Sequence, residues 1–533
     1  MRLALILCLL LLALPSPAAA PLEQWVYVAR NLWVDKNVDD LEVLLKRAAT
    51  AGYTHVLLAD SKFGKLADMD ARYFKNIDRV KKIAADLKLQ IVPAVFPVGY
   101  SNDLLWHDPN LIEALPVRDA LFIVKSGAAT LHSVPPVTLK GGDLSDFAKW
   151  DWKDIDLQPD NGAARIREPK GNNARIVQKL KLERFRQYHL SLRAKSQDFR
   201  GQLEVKLLVG SQGLNFNNLG VKPTQDWTTH HVAFNSLEHT DVTLYIGAWG
   251  ASSGTVWFDD VKLEEVGLLN VVRRPGAPVV VQVEGGRILA EGKDYEPIRD
   301  PNMGIKPWKG AYDIYHAPPA IKTKLPDGTR LRVSYYHAVT VHDDQAMICP
   351  SEPKTVELLR DQAKRMHAAW NAKGYMMSHD EIRVLNWCLA CQKRNLDAGA
   401  ILADNARTCV KILREVNPGG TIYVWSDMFD PHHNARKDYY LVRGDLKGSW
   451  EGLDKDVVIL PWYFEKRVDS LRWFADRGHR QVIAGYYDHR PDQVLQWLEA
   501  GKYTKGLTGV MYTTWQSKYT DLERFAQLVR DRK

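Results

Sequence analysis

The chain has 533 residues, of which 45% are hydrophobic and 26% charged. That is ordinary soluble globular composition, and it excludes a disordered, collagen-like or many-spanning membrane chain. The net charge of +8 is spread without a basic tail, which argues against a nucleic-acid partner, and the length suits several domains or one barrel carrying an insertion.

Residues 3–14, LALILCLLLLAL, follow Arg2 and precede PSPAAA. A charged start, a short apolar run and a small-residue end form the pattern of a signal peptide over residues 1–20. The expected location is therefore secreted or periplasmic, with no membrane contact once the segment is removed.

From Gln24 onward, short apolar runs alternate with amphipathic helical patterns. WVYVAR (25–30), THVLLAD (54–60) and QIVPAVF (90–96) read as strands. Between the first two, Leu41, Leu44, Leu45 and Ala48 share one helical face, and Gly52 ends it. This βαβαβ rhythm implies parallel strands with helical crossovers. It breaks from about Leu121 to Arg330, where β-like runs such as YHLSLRAK (188–195), QLEVKLLVG (202–210) and VTLYIGAW (242–249) are separated by turn residues. That spacing suits an antiparallel sandwich.

The βα rhythm resumes with LRVSYYH (331–337) and continues through strands at 375–381, 421–427, 457–464, 481–488 and 509–515. Nine candidate strands are one more than an eight-stranded barrel needs, so either 90–96 or 331–337 lies outside it. The expected fold class is α/β, a (β/α)8 TIM-type barrel interrupted after its third strand by a jelly-roll β-sandwich. The corresponding segments are 21–125 and 331–533 for the barrel, 126–268 for the sandwich and 269–330 for a β-rich connection.

In such barrels chemistry sits at the carboxyl ends of the strands. Arg30, Asp60, Asp380, Glu381, Trp425, Asp427, Trp462, Tyr486, Tyr487, Asp488 and Trp515 all fall there. The most informative group is Ser378-His379-Asp380-Glu381. Two adjacent carboxylates ending an apolar strand are costly unless paired or put to use. One acid and one carboxylate are what glycosidic cleavage requires. The bland alternative is a surface turn with Arg383 pairing one of them. The 17 Trp and 21 Tyr supply flat rings that suit both cores and sugar faces.

On these residues the barrel resembles the family 20 glycoside hydrolases, the β-N-acetylhexosaminidases. The resemblance implies Glu381 as the acid/base and Asp380 as the residue orienting the substrate's 2-acetamido group, whose carbonyl attacks the anomeric carbon. It further implies a sugar grip from Arg30 and Asp60, and aromatic walls from Trp425, Trp462, Trp515 and Tyr486 or Tyr487. The activity implied is exo-hydrolysis of terminal β-linked N-acetylhexosamine, with no catalytic cofactor and with an oligosaccharide, polysaccharide or glycoconjugate as partner. A non-acetamido sugar and a catalytically inactive sugar-binding protein are the rival readings.

There are departures from the family pattern. Ser378-His379 replaces the usual Gly-Gly, Gly99-Tyr100 replaces a Gly-His pair, and Gln516-Ser517 lacks the usual glutamate after the last strand's tryptophan. His379 is a candidate for a hydroxyl contact, or for the histidine role lost at Tyr100. Tyr335, Tyr336 and His337 are candidates for sugar contact.

The insert, with QDWT (225–228) and GTVWFDDVKLEE (254–265), resembles jelly-roll carbohydrate-binding modules. That resemblance implies a structural calcium at Asp260, with Asp259 beside it. It also makes Trp150, Trp152 and Trp249 candidate sugar platforms, with Trp227 and Trp257 in the core. His342-Asp343-Asp344 reads as a solvated loop rather than a metal cluster.

Cys8 leaves with the signal segment, and Cys349, Cys388, Cys391 and Cys409 remain. Cys388-Leu-Ala-Cys391 has the spacing of a redox or zinc half-site. No second CxxC or HxxxH completes it, so in an oxidising compartment one or two disulfides are expected, their pairing open.

Overall fold

The computed structural model describes residues 22–168, 172–250, 253–342, 344–488 and 490–531. The signal-peptide reading and Asp343 lie outside the described residues.

Eight parallel strands close into a barrel: β1 (Glu23–Ala29), β2 (His55–Ala59), β3 (Gln90–Val95), β4 (Gly374–Met377), β5 (Thr421–Trp425), β6 (Val458–Leu460), β7 (Gln481–Ile483) and β8 (Leu507–Tyr512). Strand alternation sorts the side chains onto two faces. Trp25, Leu57, Val92, Met376, Tyr423, Val458, Val482 and Met511 fill the interior. Val26, Val28, Val56, Leu58, Met377 and Val424 face outward, into the core shared with the helices. The helix Asp35–Thr50 buries Val38, Leu41, Leu44, Leu45 and Ala48. The crossover from β5 to β6 has the 3-10 turns Asp427–Phe429 and Ser449–Gly452, a short strand Leu441–Val442, and no α-helix among the described residues.

The ninth candidate strand is now placed. Residues 90–95 pair in the barrel with β2 and β4. Arg330–Ala338 lies outside it, antiparallel to Ala114–Lys125, in a five-stranded sheet that also holds Val280–Val283, Ala128–Leu131 and Ile321–Lys322. The boundaries expected at 125/126 and 330/331 therefore shift, because this sheet draws strands from both sides of each. Composition alone does not distinguish a buried antiparallel strand from a barrel strand.

Two further five-stranded antiparallel sheets make the sandwich. One has the order Gln225–Asn235, Gln187–Arg200, Ser253–Glu265, Ala163–Arg167, Leu157–Asp160; the other has Gln212–Gly213, Glu204–Val209, Asp241–Ala248, Ala174–Lys181, Trp152–Lys153. No helix among the described residues is long and apolar enough to cross a membrane. All four described cysteines are free and buried, so the expected disulfides are absent.

Candidate active site

A cavity of about 1160 Å³ opens at the carboxyl ends of the barrel strands. Its walls include Tyr27, Arg30, Asp60, Tyr100, Asp380, Glu381, Trp425, Trp462, Tyr486, Asp488 and Trp515. All but Tyr27, which lies inside β1, follow or end a barrel strand, so the closure of the sheet brings together residues far apart in sequence.

The acid pair follows β4 directly. Glu381 has φ +50°, a left-handed conformation uncommon outside glycine. A clamp holds it there. Its backbone N–H donates to Asp427 Oδ2 at 2.8 Å, and its carbonyl accepts from Gln345 Nε2 at 3.0 Å. Arg383 Nη2 lies 2.6 Å from Glu381 Oε2, and the Tyr100 hydroxyl donates to the same oxygen. The ion pair weighed as the bland alternative is thus present, but inside the cavity wall rather than on a surface turn.

Asp427 is fully buried, and it also accepts from Asn434 Nδ2 at 3.0 Å and from Trp462 Nε1 at 3.4 Å. Burial, then the Asp427 charge, then that of Glu381 push the Asp380 carboxyl up to about 8. Burial likewise raises Asp427 to about 7. Three carboxyls crowded together cannot all be charged, so the group holds a proton near neutral pH.

Gly99 explains why Asp380 can lie where it does. A Cβ at Gly99 would collide with the Asp380 carbonyl oxygen. Gly99→Ala is therefore expected to destabilise the fold by roughly 1–3 kcal/mol, the usual range for overpacking. Urea denaturation checks this, and unchanged stability would contradict the close approach.

Opposite the acids stands an aromatic box. Tyr27 lies with its ring centroid 5.3 Å from Trp515 and 6.1 Å from Trp425; Trp515 is 5.7 Å from Trp425 and 6.3 Å from Trp462. Trp425 is the floor, and Trp515, 45% exposed, is the rim. Tyr486 stacks on Trp515 at 6.3 Å. Asp488 fixes the rim by accepting from the backbone N–H groups of Trp515 and Gln516 at 2.9 and 3.1 Å. Arg30 lines the cavity, and its buried Nε has no hydrogen-bond partner. Asp60 is differently occupied. It accepts from Leu32 N, Lys62 N and the Tyr73 hydroxyl at 2.8, 3.0 and 2.7 Å. Its oxygens order the loop after Arg30.

Several expected residues lie elsewhere. Tyr487 is fully buried against Phe525 and Tyr512, because adjacent positions at a strand end face opposite sides. His379 is buried with Nε2 3.1 Å from Asn405, and burial lowers it to about 4. Tyr100 itself, not His379, reaches the acid. Tyr335 and His337 are buried in the outer antiparallel sheet, His337 against Gln187 and Asn235. Tyr336 belongs to the same strand, away from the cavity.

In the sandwich, Trp150 is buried with Nε1 on the Gly141 carbonyl, which removes it as a platform. Trp152 is 49% exposed, and Lys206 sits 3.9 Å over Trp249. Trp227 and Trp257 are only half-buried; Trp257 Nε1 donates to Asp160. Asp260 Oδ2 pairs with Arg193 Nε at 2.6 Å, so a protein cation already faces the expected calcium ligand. His342 contacts Tyr440 at 3.1 Å.

The expected site set omitted Tyr27, Tyr100 and Arg383, and also Asp427 and Asp488 despite their strand-end positions. For Tyr100 the signal was its position after β3.

These features define the molecule's class by geometry: a parallel barrel with an acidic pair facing an aromatic box, carrying β-sheet insertions. No family model matches the chain, and no curated protein does. Among solved structures, the chain is similar to an exo β-N-acetylglucosaminidase of family GH20 from Vibrio harveyi, at 10% identity over 69% of this chain and 94% of that one, with a TM-score of 0.30. It is similar to a rhamnosidase from Novosphingobium sp. PP1Y at 12% identity, over 97% of this chain and 59% of that one, with a TM-score of 0.34. A CBM4 module aligns with 21% of this chain and 76% of its own length, at 24% identity and a TM-score of 0.18. Likenesses this distant leave the function to be argued from the site.

Proposed function

We propose that the protein is an exported glycoside hydrolase that removes terminal β-linked N-acetylhexosamine by a substrate-assisted, retaining mechanism. The observation that carries this reading is the meeting of Asp380 and Glu381 with Arg30 and the aromatic box in one cavity. Rings of this kind stack on the apolar face of a sugar, and Tyr27, Trp425 and Trp515 pack edge to face into one wall. Glu381 gives its proton to the leaving oxygen and later takes one from water. Asp380, as a carboxylate, accepts the acetamido N–H and steadies the positive charge that forms as the carbonyl oxygen attacks. Arg30 grips a ring hydroxyl.

A second reading is favoured by the proton distribution in the substrate-free site. Asp380 is the member pushed up to about 8, and Glu381 is ion-paired with Arg383. That distribution suits Asp380 as acid and Glu381 as the attacking or base carboxylate, on a sugar without an acetamido group.

A panel of nitrophenyl glycosides tests the proposal. Turnover of the N-acetylhexosaminides is expected, lost on removal of either acid. No turnover of any glycoside by correctly folded protein would leave only a sugar-binding role.

A further inference from the structure

Outside the cavity, a second cluster of reactive side chains is wholly buried: Glu113, Cys349, Cys388 and Cys391. Glu113 immediately precedes the strand that leaves the barrel, and Cys349 immediately follows the segment that returns to it. The two passages are already paired, with Glu113 N donating to Met347 O and Cys349 N to Leu111 O, each at 2.7 Å. Cys388 caps, and Cys391 lies within, the short helix Leu389–Gln392 in the stretch that follows Asp380 and Glu381.

The four ligand atoms lie within 4.8 Å of one another. Cys349 Sγ is 3.4 Å from Cys388 Sγ and 3.7 Å from Cys391 Sγ. Glu113 Oε2 is 3.4 Å from Cys388 Sγ and 3.5 Å from Cys391 Sγ. A disulfide needs sulfurs about 2.05 Å apart. A tetrahedral zinc, with Zn–S about 2.3 Å and Zn–O about 2.1 Å, sets sulfurs about 3.8 Å apart and sulfur to oxygen about 3.6 Å. The observed spacings fit the tetrahedron and not the covalent bond.

The surroundings fit too. Glu113 Oε1 is fixed by the backbone N–H groups of Trp387 and Cys388 at 2.8 and 2.9 Å, which turns Oε2 toward the thiols. Ser351 Oγ lies 3.3 Å from Cys391 Sγ. The guanidinium of Arg274, 4% exposed, stands beside Cys388, Cys349 and Glu113 and pairs with Glu352.

We propose that Glu113, Cys349, Cys388 and Cys391 bind one structural zinc ion. The donor set is thiolate-rich, closed and tetrahedral, which selects zinc over calcium or magnesium and leaves no open position for chemistry. The ion ties the chain's exit from the barrel, its re-entry and the stretch after the acid pair into one unit. The CxxC half-site is completed by a carboxylate and a cysteine remote in sequence.

The test uses the full-length protein purified without chelator. Elemental analysis is expected to give one zinc per chain. Cys349, Cys388 and Cys391 should resist alkylation until the protein is unfolded with chelator. Cobalt in place of zinc should show thiolate charge-transfer and tetrahedral d–d absorption, which Glu113→Gln shifts, Cys391→Ser abolishes and Cys409→Ser leaves unchanged. If the variants do not fold, the wild-type metal content and peptide map still decide. A disulfide among the three cysteines in native protein overturns the proposal. So does reduced, folded protein that takes up neither zinc nor cobalt.

Discussion

Glu381→Gln should cut turnover of a natural glycoside by roughly 10²–10⁴-fold, the usual worth of a positioned acid. The same change should largely spare a substrate whose activated phenol leaves without a proton. The contrast between the two substrates is the signature, since a merely structural lesion slows both. Gln keeps the size of the side chain and can still accept from Tyr100, but it breaks the ion pair with Arg383. The fold should therefore be checked by its melting curve. Equal losses on both substrates, with the fold intact, would remove Glu381 from the donor role.

Asp380→Asn carries the second large effect, visible in stability as well as rate. The carboxyl stands at about 8 in the folded protein and near 3.9 in an unfolded chain. The folded state therefore holds a proton that the unfolded state releases between these values. Its contribution to stability is fully present below about pH 4 and is lost as pH rises through about 8. Asn carries no such titration. The variant's melting temperature should gain on the wild type across that interval and match its pH dependence below it.

Activity should fall at the same time, on activated and natural substrates together, because a misoriented acetamido group slows bond cleavage whatever the leaving group. In wild type, kcat/KM should be bell-shaped with pH, because the coupled carboxyls must together keep one proton for the leaving group while one of them is ionised.

Much of this arrangement was legible in the chain. Alternating strand and helix patterns on either side of a β-rich interruption gave the barrel's two parts and the insertion after strand three. The adjacent carboxylates of Asp380 and Glu381 stood out because charge rarely ends an apolar strand without a use. Arg30, Trp425, Trp462, Tyr486 and Trp515 were found by position alone, and the cavity collects them.

What was not legible depends on contacts between distant segments. Arg330–Ala338 has the composition of a barrel strand, and only its pairing with Ala114–Lys125 excludes it. Tyr486 and Tyr487 differ by one position and hence by one side of the backbone, which no sequence window resolves at a strand end. Asp60 lines the cavity while accepting from Leu32, Lys62 and Tyr73, contacts that no sequence window shows. The half-site at Cys388 and Cys391 lacked a partner in sequence because Glu113 and Cys349 reach it only through the fold.

The most direct measurement of the central claim compares two β-glycosides with the same leaving group, one bearing a 2-acetamido group and the other a 2-hydroxyl. If the substrate's own carbonyl oxygen is the nucleophile, wild-type kcat/KM should collapse on the hydroxyl sugar, because the attacking atom is gone. Equal rates on the two would contradict substrate assistance, even if Glu381 proved to be the acid.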